Sequence, residues 1–200
     1  MAIVGCSYFK GGIYNNNNGA ITYSNQAIIA KLVRMAINLD DGQDNDFYAD
    51  NAVDETDNTF AGGNYEVVTN DLTDAMSALI LGLQEAMLSS ITGVTDEGVK
   101  EIIFDDRQNT PYMGVGNVVK HKRGGAFVYT AIVLTKIQFK TPADSWETQG
   151  KSISWQTPTI QATIMKDDST YHAWKRVATF TTEAQAIAYI NDRLPAPAGT

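Results

Sequence analysis

The sequence predicts a mainly β (α+β) domain: a β-sandwich or partly open barrel of antiparallel strands with one or two flanking helices. Three observations carry this. Residues 112–120 and 127–139 flank a turn region at 121–125 and form the clearest strand pair in the chain, with Phe127, Tyr129, Val133, Ile137 and Phe139 read onto one face of the second arm. Shorter runs rich in β-branched and aromatic residues recur before and after it, bounded by Gly, Asn, Asp and Pro. Helical spacing is confined to two segments, 71–83 and 182–194. With 200 residues, 44% of them hydrophobic and 19% charged, the chain can bury a full core as one domain, and disorder as a default is excluded.

Taken in order, residues 6–14 and 20–23 read as short extended pieces around Asn15 to Gly19, where Asn18-Gly19 favours a tight turn; residues 1–25 are expected to form an exposed N-terminal arm or hairpin. Residues 27–38 predict one strand, because polar stretches flank a β-branched run. Phe47-Tyr48-Ala49 is a short apolar piece inside an acidic run, and Ala61-Gly62-Gly63 breaks the chain before a period-two strand at 65–69. A long hairpin spanning 43–70 is one solution, and the acidic loop or hairpin is expected over 40–63. Leu72, Ala75, Met76, Leu79, Ile80 and Leu83 then fall on a helical stripe, with Asp71 as the expected N-cap and Gly82 near the end.

After a mixed stretch at 84–99, residues 101–104 predict a strand. Residues 152–157 and 159–165 predict two further arms, with Pro158 at a bulge or an edge. Residues 171–180 predict another strand after the Asp167-Asp168-Ser169 turn. Thr182 with Gln185 is a capping-box pattern opening a helix that buries Ile187, Ile190 and Leu194. The single domain is thus expected over 1–194, with 195–200 as a flexible tail.

Charge and cysteine content narrow the function. A net charge of −8 argues against a protein held to nucleic acid by attraction. One cysteine, Cys6, excludes an intrachain disulfide framework and a cysteine-rich metal site. The start lacks a basic segment followed by a long apolar run, so no secretory signal is expected. The longest apolar patch, 79–83, is far shorter than the roughly 18 residues of a membrane span. A soluble protein, cytosolic when made, with no membrane partner, is the expectation.

The charges are unevenly placed. Between Met35 and Val99 lie fourteen acids and no Lys or Arg, whereas the flanking segments each carry a net +3. A charge run is commonly a solvated face. It can also be one half of a heterologous contact in which an acidic surface on one copy meets a basic surface on the next. The densest run is Asp40, Asp41, Asp44, Asp46, Asp50, Asp54, Glu55 and Asp57; its spacing does not match an EF-hand loop, which needs a Gly and a final Glu at fixed positions. The basic counterpart is Lys120, Lys122 and Arg123 beside His121.

Residues for catalysis are sparse. His121 and His172 lie far apart in sequence, no HExxH or CxxC is present, and Gly114-Val115-Gly116 lacks the third glycine and the helix of a dinucleotide loop. Asp105-Asp106 is the one adjacent acid pair near a strand end, and adjacent strand residues point to opposite faces. Trp146, Trp155 and Trp174 fit packing or a sugar-stacking platform. A non-enzymatic protein with no cofactor and no metal is expected.

The ordered features resemble the major tail protein family of long, flexible-tailed bacteriophages, the subunits of the tail tube. The residues that carry the resemblance are Ile3-Val4-Gly5 with Ser7-Tyr8-Phe9, then Ile21-Thr22-Tyr23, Phe47-Tyr48-Ala49-Asp50-Asn51, the strand-then-helix unit at 65–83, Pro111-Tyr112-Met113-Gly114-Val115-Gly116, and Gly150-Lys151-Ser152-Ile153-Ser154-Trp155-Gln156-Thr157-Pro158-Thr159-Ile160. They span most of residues 3–165.

The resemblance implies a β-sandwich subunit that assembles into stacked, hexameric rings forming the conduit for genome ejection. Its implied partners are further copies of itself, the tape-measure protein and other tail proteins, with DNA passing through without specific binding. Its implied location is the virion tail, after assembly in the host cytoplasm. An acidic lumen would repel DNA and let it pass, so the acids from Asp40 to Asp57 are expected to line the tube or to meet the adjacent ring. A tail terminator or completion protein, a secretion-system tube protein of the same fold, and a glycan- or receptor-binding β-sandwich module are the alternatives.

Overall fold

The computed structural model describes residues 2–40, 45–49, 52–57, 59–87, 99–106, 108–142, 148 and 157–197. The strands are β1 (Ala2–Asn17), β2 (Ala20–Ala30), β3 (Leu32–Asp40), β4 (Asn45–Ala49), β5 (Ala52–Asp57), β6 (Gly62–Thr69), β7 (Gln84–Met87), β8 (Lys100–Ile103), β9 (Tyr112–Arg123), β10 (Ala126–Phe139), β11 (Thr159–Met165) and β12 (Lys175–Phe180); the helices are α1 (Asp74–Leu81) and α2 (Glu183–Arg193). The predicted class is the observed one. An eight-stranded antiparallel sheet runs in the order β2-β1-β9-β10-β11-β6-β3, with β12 also pairing with β10. β4 with β5, and β7 with β8, form separate two-stranded ribbons.

The predicted strand at 27–38 is divided at Lys31, and this division shapes the sheet. β2 and β3 are the two ends of the strand path, yet one residue joins them, so the sheet has to curl back on itself. β1 approaches β3 without pairing with it, and the barrel stays open. Two reciprocal bonds fix the corner: the Lys31 N–H donates to Asn70 Oδ1 at 3.1 Å, and the Asn70 N–H donates to the Lys31 carbonyl at 3.0 Å.

The N-terminal segment turns at Asn18-Gly19 as predicted, but it is no exposed arm. β1 is 16 residues long, pairs with both β2 and β9, and buries Phe9 completely. A register shift lies between Ser7 and Lys10, where Tyr8 takes φ 60°. A bulge of this kind puts two successive residues on one face. Accordingly, Ser7 and Tyr8 both reach α2: the Ser7 hydroxyl donates to Glu183 Oε1 at 2.8 Å and the Tyr8 hydroxyl donates to Asn191 Oδ1 at 3.0 Å.

The β9–β10 hairpin is longer than predicted, because its turn is only Gly124-Gly125, with φ of 56° and 88°, and His121, Lys122 and Arg123 belong to the strand. A second register shift, between Leu134 and Ile137, corrects the single apolar face expected on β10. Before it, Ala131 and Val133 pack beneath α2; after it, Ile137 and Phe139 join Leu134 in the barrel interior. The bulge also forks the sheet, since β10 pairs with β12 over Tyr129 to Leu134 and with β11 over Lys136 to Phe139. Tyr23 stabilises the fork, its hydroxyl donating to the Thr135 carbonyl at 2.9 Å.

Two cores result. The interior core gathers Phe9, Tyr65, Met113, Val115, Leu134, Ile137, Ile160 and Ile164 with Ile80 and Leu81 of α1. The outer core packs Tyr23, Val118, Ala131 and Val133 against Ala186, Ile190 and Leu194. Gly114 and Gly116 make that second layer possible: a Cβ on Gly114 would lie 2.2 Å from the Tyr23 ring, and one on Gly116 would lie 2.3 Å from Ile190 Cγ2. The Gly-Val-Gly sequence therefore serves close packing against Tyr23 of β2 and Ile190 of α2.

The other elements differ in detail. Thr73, in place of Asp71, is the N-cap of α1, and Gly82 ends that helix with φ 66°. Thr182 caps α2 as predicted, its Oγ1 accepting the Gln185 N–H at 3.4 Å. The predicted strand at 171–180 shortens to β12, and His172 lies in a turn with φ 46°. β7 lies in the mixed stretch at 84–99. Pro195, expected in a loose tail, accepts the Tyr23 N–H at 2.8 Å on its carbonyl. The predicted arm at 152–157 lies almost wholly outside the described residues, as do Trp146 and Trp155. Among the described residues, no helix is long and apolar enough to cross a membrane.

Candidate functional site: an acidic hairpin and a basic strand tip

Of the acids singled out in the sequence, Asp40, Asp46, Asp54, Glu55 and Asp57 lie on described strands. β3 pairs with β6, with Asp40, the last residue of β3, opposite Gly62. β4 and β5 pair as a separate ribbon, in which Asp46 is opposite Thr56, Glu55 opposite Phe47 and Asp57 opposite Asn45. A register shift between Phe47 and Tyr48 accommodates Asp54. Asp41, Asp44 and Asp50 lie outside the described residues.

Lys120, Lys122 and Arg123 lie at the turn end of β9, on a separate part of the molecule. There the sheet narrows to β1, β9 and β10, because β12 leaves β10 at the Tyr129 to Phe180 pair. The Lys120 ammonium sits 4.1 Å from the centre of the Phe127 ring and 5.7 Å from that of Tyr129, so two aromatic faces fix its charge. Lys122 is opposite both Ala2 and Phe127, and Arg123 is opposite Ala126. Lys122, Arg123 and Phe127 are all exposed. Ile3 and Val4 beside them are 71% and 53% exposed, large values for aliphatic residues in a sheet.

The two edge strands are a further exposed feature. Ile28 on β2 and Val33 and Leu39 on β3 are exposed, and among the described residues neither strand has a second partner in the sheet. Arg34 pairs with Glu66 across β3 and β6. Edges of this length are normally capped, charged or paired with another chain.

Several polar contacts have no counterpart in the sequence patterns. The fully buried Tyr65 hydroxyl donates to Asn117 Oδ1 at 2.7 Å across the barrel interior, and burial pushes its pKa far up. Tyr14 and Lys136 both donate to Asp168 Oδ2, at 2.9 and 2.8 Å, clasping the 167–174 turn to β1 and β10. Lys136 first, and Tyr14 next, lower the Asp168 pKa; burial raises that of Tyr14 to about 12. These contacts join residues more than thirty positions apart, so no local pattern marks them.

A cleft of about 360 Å³ lies beside that turn, lined among others by Tyr23, Asp167, Tyr171, Arg176 and Arg193. Asp167 is buried, accepting the Ser169 hydroxyl at 2.6 Å, while the His172 ring faces the Asp167 carbonyl at 3.3 Å. Ser169 is thus committed to Asp167, and the histidine ring to backbone. Burial raises the Cys6 pKa and favours its thiol form. Trp174 stacks on Phe60 with ring centres 4.5 Å apart, which accounts for it as packing. Among the described residues, no group of three His, Cys, Asp or Glu could hold a metal ion.

No protein-family model matches the chain, and a search of curated proteins finds no match either.

Proposed function

We propose that this chain is a structural subunit of a bacteriophage tail tube, one that self-associates into rings, hexameric in the resembled family, which stack into a conduit for DNA. The observation that carries the reading is the pair of open, partly aliphatic edge strands, β2 and β3, at the two ends of a curled sheet. A neighbour on each side would cover both edges at once, as ring closure does. The strong charge segregation supports the same reading, because a repeated contact between unlike surfaces propagates. The tape-measure protein and other tail proteins are the further partners proposed, the virion tail is the proposed location, and DNA passes without specific binding.

Negative-stain electron microscopy across a concentration series, with light scattering on the same samples, tests the proposal. Stacked hollow rings or tubes are expected. Discrete particles that never stack at any concentration would count against a tube subunit and favour a terminator or a binding module.

A further inference from the structure

Charge is divided between two substructures more sharply than the fold requires. The adjacent strands β1, β9 and β10 contain Lys10, Lys120, Lys122, Arg123 and Lys136 and no acid at all. The sequence segment from Asp40 to Asp57, which contains β4 and β5, carries eight acids and no base. At the tip of the three basic strands, exposed Ile3, Val4 and Phe127 stand among the lysines, and the Phe127 ring holds the Lys120 ammonium in place. The acidic hairpin has the complementary composition, with Phe47, Tyr48 and Val53 set between its acids.

We infer that the β1–β9–β10 tip of one copy is the docking surface for the acidic β4–β5 hairpin of a second copy. This deepens the tube reading and rests on it, naming the surfaces through which one subunit meets the next. The contact is heterologous: each copy offers one tip and one hairpin, so a bound pair still has one of each free and can extend. Unlike charges on the two surfaces speed the encounter and fix its register, and like charges oppose tip-to-tip or hairpin-to-hairpin pairing. A nucleic acid on the basic tip is disfavoured by the net charge of −8.

The test uses the full chain and a charge exchange. Lys122→Glu alone, and Asp46→Lys with Asp54→Lys, are each expected to raise the concentration needed for assembly at least tenfold by light scattering. Mixing the two variants restores association between unlike partners, which sedimentation detects as a complex that neither forms alone. Circular dichroism and melting of each variant confirm that the fold is retained. Wild-type assembly by both single-surface variants, or failure of the mixture to associate while both are folded, would overturn the contact even if tubes form. Restored association that yields closed dimers and no tubes would support the contact and remove the tube reading. A wild-type chain that stays monomeric at every concentration overturns both, and a DNA duplex that binds the intact tip of the Asp46→Lys, Asp54→Lys variant more tightly than the Lys122→Glu variant does assigns the tip to nucleic acid instead.

Discussion

β9 and β3 belong to the same sheet and differ in almost every respect that matters. From Met113 to Val119 each residue of β9 is buried, because one face meets the barrel interior and the other meets α2. No residue of β3 is fully buried, and the strand ends in the acidic hairpin. A strand covered on both faces takes its sequence from packing, which is why Gly114 and Gly116 stand where Tyr23 and Ile190 press on β9, whereas an edge strand keeps its sequence available for contact. The difference separates a body whose substitutions should alter stability from a periphery whose substitutions should alter association.

The largest effect is expected in the body. Ile137→Ala removes a fully buried side chain just past the β10 bulge and should cost about 3 kcal/mol in denaturant unfolding. A loss below about 0.5 kcal/mol would mean that the interior is not the close-packed core described. Gly116→Ala comes next: its Cβ would lie 2.3 Å from Ile190, and displacement of α2 should cost about 2 kcal/mol. Ile190→Ala in the same chain should recover part of that loss, a coupling that only direct contact produces.

Tyr65→Phe should cost about 1–2 kcal/mol, since Asn117 Oδ1 loses its buried donor and Asn117 Nδ2 already has no partner. A double variant that also carries Asn117→Leu should be closer to the native stability than the sum of the two changes, because no buried polar group is then left unmatched.

The smallest effect concerns the clasp at Asp168. Its folded pKa is lowered, so its contribution is complete above the ordinary carboxylate value of about 3.9 and is lost as pH falls through the lowered folded value. Because the side chain is half exposed, this is worth under about 1 kcal/mol. Lys136→Met should flatten that part of the acid-unfolding profile, and an unchanged profile would show that the ion pair has no part in it.

Much of the fold was legible because its signals are local. The Asn18-Gly19 turn, the alternation of β9 and β10, the Thr182 cap and the helical stripe of α1 each lie within a few residues. The corner at Lys31 was not legible, since β-branched and apolar residues continue on both sides of it and the break depends on a distant partner, Asn70. Nor was the β10 bulge, whose freed carbonyl is matched by Tyr23 from another hairpin. His172 was misread as a strand residue because aromatic spacing continued across a turn. For the candidate site, the sequence located the charges, and the structure supplied their setting: a paired ribbon for the acids, and a narrowed strand tip with an aromatic seat for Lys120.

The most direct measurement is amide hydrogen exchange of the free chain and of its sedimented assemblies, read by peptide. Slow exchange at 113–119 in both states is expected, with new protection on assembly at 45–57, at 120–128 and along the edge strands. Assemblies in which those segments exchange as fast as in the free chain, while protection appears elsewhere, would contradict a periphery built for self-association.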